Sequence, residues 1–272
     1  LSSSSISEAV MMPPPPPPPL VVVVVAMALS IDAPAAAASS LERRHSSLAM
    51  AASVPAALAV VRAGLASAVS AAGRATAPRL VAVSKLKTNE HVLAAYGEGQ
   101  RHFGENYVQE FCEKAPQLPS DIAWHFIGHL QSNKCKQLVG AVPNLYVVET
   151  VDSAKLARKL NAACANVGRT TPLRVMIQVN TSGEDAKSGL PPLLSSDDAS
   201  GDAPLAEVVR FVLTECPHLR FAGLMTIGRY DGTPVDCFEA LVSSRDAVAP
   251  MVEEAGVLDA GEEMELSMGM SG

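Results

Sequence analysis

Short runs of apolar residues alternate with longer stretches of mixed apolar and polar residues from about residue 54 onward. The runs have the length of strands, and the longer stretches have the spacing and the end signals of helices. The strands predicted in this way cover residues 79–85, 101–104, 122–127, 145–148, 173–179, 220–224 and 263–267. Runs without polar alternation are typical of strands that are buried on both faces, as in a parallel sheet covered by helices.

The repeated strand–helix order predicts an α/β fold with a parallel sheet and right-handed crossovers. An open, doubly wound sheet fits the same pattern, but such a sheet usually has about five or six strands. Seven strands, with an eighth strand and its helix apparently missing, favour a (β/α)8 TIM-type barrel, which takes about 250 residues. Periodicity alone does not separate the two architectures.

The first 49 residues differ in composition and are expected to form a disordered, low-complexity extension. They contain runs of serine, proline, valine and alanine at 2–5, 13–19, 21–25 and 35–38. Met50 reads as a natural start, so residues 50–272 are expected to form one domain. The apolar stretch 20–29 is shorter than the roughly 20 residues of a membrane span, and no Lys or Arg precedes it as in a signal peptide.

The formal net charge is −7, and the chain contains no block of Lys or Arg. This charge argues against a surface that binds nucleic acid or an acidic membrane. The five cysteines are scattered and form no CxxC pair, which favours free thiols in a reducing compartment over disulfides or a zinc site. A cytoplasmic location is therefore expected, with an organelle as the alternative if the extension is a transit peptide.

Lys85 lies at the carboxyl end of the first predicted strand, at the edge where α/β proteins bind ligands. Partial burial there favours the neutral amine, which is the form that attacks an aldehyde cofactor. The segment 267–272 follows the last predicted strand and is rich in glycine, so its backbone N–H groups can converge on a phosphate. Taken alone, each feature also has a simpler interpretation. Lys85 could be a solvated lysine at the start of a loop, and the segment 267–272 could be a tight turn after a strand.

His125 and His129 are four residues apart, a spacing that invites a metal-site interpretation. The Glu of the zinc-protease motif is absent between them, and residues four apart along a strand are far from each other. No metal is therefore expected, and we interpret His125 as a hydrogen-bonded histidine of the core.

Six motifs follow one another at suitable spacing: VAVSK at 81–85, FGENYVQE at 103–110, WHFIGHLQSNK at 124–134, KSG at 187–189, GLMTI at 223–227 and LSMGMS at 266–271. Through these motifs the chain closely resembles the pyridoxal phosphate homeostasis proteins, also called proline synthase co-transcribed proteins. The resemblance covers the chain from about residue 54 to its end. The loop 190–203 looks like an insertion relative to that family.

The resemblance implies a barrel of the alanine racemase N-terminal class and the cofactor pyridoxal 5′-phosphate. Lys85 would form the internal aldimine (a Schiff base), and Asn106 and Met225 would lie close to the cofactor ring. Ser267, Gly269 and Ser271 would lie at its phosphate end. The implied role is a non-catalytic one, in which a monomer buffers the cofactor or delivers it to apoenzymes that depend on it.

The alternative is an amino-acid racemase, because related barrels carry out that reaction. Racemisation needs acid–base groups on both faces of the substrate carbanion, and in racemases of this fold the second group is a tyrosine of an additional domain. This chain has no room for such a domain, and none of its four tyrosines has an evident claim to the role.

Family members continue beyond the last motif with further phosphate-binding residues, an arginine at the ring nitrogen, and a final strand and helix. The chain ends at Gly272, so we expect the barrel seam to be open. An open seam exposes unpaired strand edges. Weaker cofactor retention and lower stability than in a complete member are the expected consequences.

Overall fold

The computed structural model describes residues 20–22, 53–195, 202–229, 234–259 and 262–268. In these residues eight strands alternate with seven α-helices. The strands are β1 (Leu20–Val22), β2 (Arg79–Leu80 and Ala82–Val83), β3 (His102–Glu105), β4 (Ala123–Phe126), β5 (Leu145–Val151), β6 (Leu173–Gln178), β7 (Leu219–Met225) and β8 (Glu265–Met268). The helices are α1 (Val54–Ala71), α2 (Asn89–Gly97), α3 (Val108–Lys114), α4 (Cys135–Ala141), α5 (Ala154–Asn166), α6 (Pro204–Glu215) and α7 (Val235–Ala255).

The strands form a closed ring in which every pairing is parallel. From β2 to β8, each strand pairs with the next strand along the chain. The first strand, β1, pairs with β8 on one side and with the first half of β2 on the other. The second half of β2 pairs with β3, so β2 completes the ring. This arrangement confirms the predicted barrel class, and it directs all carboxyl strand ends to one rim.

The structure closes the seam between β8 and β2, because β1 pairs with both strands. The expectation of an open seam is therefore wrong for the backbone groups that β1 pairs with. Val21 is aligned with Ser267 of β8 and with Arg79 of β2. Two exposed strand edges would leave N–H and C=O groups without partners, and one apolar segment inserted between them satisfies both. Three residues of the extension thus belong to the barrel; the expected disorder of the other residues up to 49 lies outside the described residues.

The ring separates two apolar layers. The larger layer lies between strands and helices and includes the side chains of Phe103, Trp124 and Phe126. The smaller layer fills the ring and consists of Val81, Val83, Ile127, Val147, Met176, Ala222 and Met225. Adjacent residues of a strand point to opposite faces, which is why strands buried on both faces have uninterrupted apolar sequences.

The loop predicted at 190–203 is partly packed. Leu190 forms an isolated parallel bridge with Val179, and Leu193 is buried. The Ser244 side chain on α7 accepts a hydrogen bond from the Leu193 N–H group at 3.0 Å and lies 3.2 Å from the Leu193 carbonyl oxygen. The sequence did not predict this contact. The segment is rich in Pro, Ser and Asp, and a single buried leucine produces no periodic pattern. Residues 196–201 lie outside the described residues.

The helix α1 is long and apolar enough, by length and composition alone, to cross a membrane. It is nevertheless attached to the barrel in this structure. Val54 and Leu58 are buried, and the Arg62 guanidinium donates to the Glu98 carbonyl at 2.7 Å and to the Gln100 side chain at 3.2 Å. The alanine-rich sequence from Val54 to Ala72 predicts a helix before the first strand, and the structure confirms it.

The pairing of β1 predicts that the N-terminal segment contributes to stability. Val21→Pro removes an N–H group from a strand that has a neighbour on each side, and proline is not tolerated in such a strand. We expect the free energy of unfolding, measured by urea denaturation, to fall by about 1 to 3 kcal/mol. Val21→Thr keeps the N–H group and the β-branch and serves as the control. Equal stability of Val21→Pro and the unaltered chain would contradict the closed seam.

Candidate functional site

Lys85 continues the interior face of β2 toward the rim. Residues two apart along a strand share a face, and Val81 and Val83 both belong to the layer inside the ring. Lys85 follows at the same interval and is half-buried. Within the described residues, its amine forms no hydrogen bond or ion pair. The side chain of Lys85 therefore lies at the carboxyl end of β2, and its role as the cofactor lysine stays a prediction.

The backbone is fixed on both sides of Lys85. On one side, the Ser84 N–H group donates to the Gly104 carbonyl at 2.9 Å, and its hydroxyl donates to Glu105 Oε1 at 2.7 Å. On the other side, Leu86 has a φ of 61° and donates its N–H group to Glu110 Oε1 at 2.8 Å. Leucine in this left-handed region is strained, and such strain persists only where the surroundings enforce it.

A buried lysine that sequence reasoning missed connects these contacts. Lys114 lies on α3 with only 6% of its side chain exposed. Its ammonium donates to the Ser84 carbonyl at 2.8 Å, to Glu105 Oε1 at 2.7 Å and to Glu110 Oε1 at 2.6 Å. The available signal was the spacing of Glu110 and Lys114, but a pair four residues apart on a helix is ordinarily a solvated surface pair.

Burial raises the pKa of Glu105, although the hydrogen bonds from Lys114 and Ser84 act in the opposite direction. The second oxygen of this carboxylate is buried and has no partner among the described residues. Glu105 therefore depends on Lys114 for compensation of its charge, because a buried carboxylate without a partner is costly.

Asn106 directly follows β3 at the rim. Its Oδ1 atom is buried and has no hydrogen-bond partner among the described residues. A buried polar atom without a partner is uncommon and suits a position where a ligand supplies the missing contact. The neighbouring backbone is closely packed: a Cβ at Gly128 would lie 2.0 Å from the Asn106 carbonyl oxygen. Only glycine allows this approach, so the backbone of Gly128 packs directly against the backbone of Asn106 at the rim.

Met225 and Ser267 lie side by side on β7 and β8. The Met225 side chain belongs to the interior apolar layer, close to the rim. Ser267 is fully buried, and its hydroxyl donates to Glu149 Oε2 at 2.5 Å. A phosphate oxygen needs donors, so the Ser267 hydroxyl could serve a phosphate only after leaving Glu149. The other predicted phosphate residues, Gly269 and Ser271, lie outside the described residues.

A row of polar side chains also crosses the ring at the level of the apolar layer, where His125 is aligned with Val147. His102 Nδ1 lies 3.0 Å from His125 Nε2, and His125 Nδ1 lies 2.5 Å from Glu149 Oε1. Sequence reasoning identified His125 as a hydrogen-bonded core histidine, and this is confirmed. His129 instead lies near the surface, 3.3 Å from the Ser188 hydroxyl. In the described part of the chain, no cluster of three His, Cys, Asp or Glu side chains could hold a metal.

A charged layer closes the amino-terminal end of the ring. Arg79 binds both oxygens of Glu265, at 2.7 and 2.8 Å, and Arg174 binds the same carboxylate at 3.1 Å. Burial acts to raise the pKa of Glu265, but the Arg79 guanidinium outweighs it and holds that pKa below its usual range. Both guanidinium groups lie 5.3 Å from the centre of the Tyr146 ring. Tyr146 is thus at the opposite end of the ring from Lys85.

The motif residues 187–189 belong to a loop that is tied to the rim. Lys187 donates to the Gly228 carbonyl at 2.6 Å, and Gln178 donates to the Ser188 carbonyl at 2.9 Å. Asn180 binds two carbonyl groups within the same loop. These contacts join the carboxyl ends of β6 and β7. The motif therefore stabilises this part of the rim, a role that no sequence pattern indicated.

The family model described as "Alanine racemase, N-terminal domain" matches residues 57–249. Among curated relatives, the pyridoxal phosphate homeostasis protein of Mus musculus is 48% identical over 203 residues, which cover 71% of this chain and 68% of that protein. The protein of the same name from Caenorhabditis elegans is 43% identical over 215 residues, covering 76% of this chain and 82% of the relative.

Solved structures show the same similarity. A protein of unknown function from Bifidobacterium adolescentis matches with a TM-score of 0.64 and 25% identity, over 80% of this chain and 94% of that one. PipY of Synechococcus elongatus, in a structure with pyridoxal phosphate bound, matches with a TM-score of 0.55 and 25% identity, over 79% of this chain and 97% of PipY.

The partly buried side chain of His102 predicts a specific acid sensitivity. Burial, His125 and Arg79 lower the pKa of His102 to about 4, whereas Glu265 acts in the opposite direction. In the unfolded chain the pKa of histidine is about 6.5. Between these pH values the unfolded state binds more protons, so stability falls as the pH is lowered from about 6.5 to about 4.

We therefore expect His102→Gln to lose less stability over this pH interval than the unaltered chain does. Urea denaturation at several pH values measures the difference. His218→Gln is the control, because His218 lies outside the ring, before β7. An unchanged pH dependence in His102→Gln would contradict a neutral, partly buried His102.

Proposed function

Since the chain is a member of the pyridoxal phosphate homeostasis protein family, we propose that it binds pyridoxal 5′-phosphate covalently through Lys85. The observation that carries the proposal is the position of this amine. It lies on the interior face of β2 at the carboxyl rim, without a partner among the described residues, between two peptide groups that are hydrogen-bonded in place. The name of the relatives, pyridoxal phosphate homeostasis protein, supports a role that involves this cofactor.

The described residues fit the cofactor. When bound, the cofactor would supply an aldehyde group, and Lys85 would hold it through its side-chain amine. Asn106 offers a buried oxygen that lacks a partner, which suits a polar group of the ring. Met225, Val83 and Ile127 provide an apolar floor that keeps water from the ring interior below the amine.

We further propose that the protein stores or delivers the cofactor without catalysing a reaction of amino acids. A racemase needs a second acid–base group opposite the lysine. Three of the four tyrosines are described, and none lies opposite Lys85: Tyr146 contacts Arg79 and Arg174 at the far end, Tyr96 binds Asp121, and Tyr107 begins α3 with half its surface exposed. This distribution supports a binding protein over a racemase. We propose in addition that the protein acts as a monomer and serves apoenzymes.

A cytoplasmic location is part of the proposal. The structure describes five free cysteines, of which Cys135, Cys164, Cys216 and Cys237 are buried. Burial raises the pKa of Cys135, Cys164 and Cys216 to about 11. Such thiols are unreactive packing residues, which suits a compartment where cysteines stay reduced.

The test uses Lys85→Arg, which keeps the positive charge but removes the amine nucleophile. We expect the unaltered chain to develop the absorption band of a lysine-bound cofactor and to restore activity when mixed with a cofactor-free pyridoxal phosphate enzyme. Lys85→Arg should do neither. Lys87→Arg, two residues further along a half-buried turn, is the matched control and should behave as the unaltered chain.

Incubation of the loaded protein with L-alanine separates the two functional classes. A binding protein leaves the L-isomer unchanged over hours, whereas a racemase produces the D-isomer until the two are equal. Accumulation of D-alanine that disappears in Lys85→Arg would contradict the non-catalytic proposal.

A further inference from the structure

We propose that Lys114, Glu105 and Glu110 form a positioning cluster that orients Lys85 for covalent attachment from outside the ring. The inference rests on the proposed function, because it assigns the residues that set the direction of the reactive amine. None of the three belongs to the interior layer that lines the proposed cofactor site.

The cluster lies in the layer between the ring and α3. On β3, Phe103 belongs to the outer layer, and Glu105, two residues on, lies on the same face. Its carboxylate meets Lys114 at the end of α3, and both side chains are almost completely buried. A buried ion pair is tolerated only with close geometry and further hydrogen bonds. Here the further hydrogen bonds go to the backbone of β2.

Each member of the cluster holds a different atom beside Lys85. Lys114 binds the Ser84 carbonyl oxygen, Glu105 accepts from the Ser84 hydroxyl, and Glu110 accepts from the Leu86 N–H group. The peptide groups before and after Lys85 are therefore joined through one ammonium ion. The left-handed backbone at Leu86 is the strained turn that these bonds maintain.

The cluster also distinguishes the two lysines chemically. An ammonium group has three N–H donors and no lone pair, and all three donors of Lys114 are engaged, two of them by carboxylates. With three oxygen partners around its nitrogen and 6% of its side chain exposed, Lys114 is enclosed and is not accessible to an aldehyde. Lys85, without such partners among the described residues, remains the nucleophile. The same contacts thus fix the backbone and prevent a competing reaction nearby.

Glu110 gives the sharpest test, because its carboxylate joins Lys114 to Leu86 while a quarter of its side chain is exposed. Glu110→Ala removes the acceptor, whereas Glu110→Gln keeps a side-chain oxygen for the Leu86 N–H group. Glu113→Ala is the matched control: Glu113 lies on the same helix, is exposed, and forms its side-chain hydrogen bond with Gln109. Alanine favours a helix at each position, so α3 should remain intact.

Two readouts are needed. The first is hydrogen exchange of the peptide that contains residues 84–88, measured by mass spectrometry without any cofactor. The second is the rate at which pyridoxal phosphate becomes attached to Lys85. We expect Glu110→Ala to accelerate the exchange and to slow attachment by roughly tenfold or more, since a small misplacement of a reacting group can cost up to about 100-fold.

Glu110→Gln should recover most of the attachment rate and the exchange protection, and Glu113→Ala should match the unaltered chain. A Glu110→Ala protein that equals Glu113→Ala in both readouts would overturn the proposal. If the unaltered chain does not attach the cofactor, the proposed function fails, and the exchange readout still decides whether the cluster holds the turn at Lys85.

Lys114→Met provides a second variant, combined with Glu105→Gln so that no buried charge is left without compensation. Its unfolding midpoint is compared with that of Glu262→Gln, which removes ion pairs to Arg174 and Arg220 at the other end of the ring. The two proteins are compared under conditions where they are equally destabilised. A positioning role is supported if the double variant loses more of the attachment rate than Glu262→Gln does. Equal losses would mean that the cluster contributes only to stability and would overturn it.

Discussion

The fold depends on the pairing of every strand with two neighbours around a closed ring. Parallel strands cannot leave their edges exposed without unpaired backbone groups, and closure removes both edges at once. Closure also fixes direction, because all carboxyl ends then meet at one rim. Lys85, Asn106 and Met225 are separated along the sequence and reach the same rim for this reason. The valine-rich strand β1 completes the closure, because it lies between β8 and β2 and pairs with both.

The fold and the reactive lysine were largely predictable from the sequence, because they depend on local patterns. Uninterrupted apolar runs indicated strands buried on both faces, and Lys85 lay at the carboxyl end of one of them. The position of His125 inside the ring followed from simple alternation. The family resemblance then supplied the cofactor, which composition and spacing alone would not have identified.

The rest required three-dimensional contacts between distant segments. The pairing of Val21 with Ser267 joins residues at opposite ends of the chain, and a short valine run in a low-complexity segment has no feature that marks it as a barrel strand. Lys114 resembled a surface residue of an amphipathic helix, and only the fold shows that it is buried between two carboxylates. The hydrogen bond from Ser267 to Glu149 likewise commits a hydroxyl that the family resemblance assigned to the phosphate.

The central claim is that the cofactor is attached to Lys85. The most direct measurement is borohydride reduction of the protein after incubation with pyridoxal phosphate, followed by peptide mass mapping. Reduction converts the C=N bond into a stable amine, so the modified lysine can be located. We predict one modified peptide, the one that contains Lys85. Modification spread over exposed lysines such as Lys136 and Lys155, or no modification at all, would contradict the account.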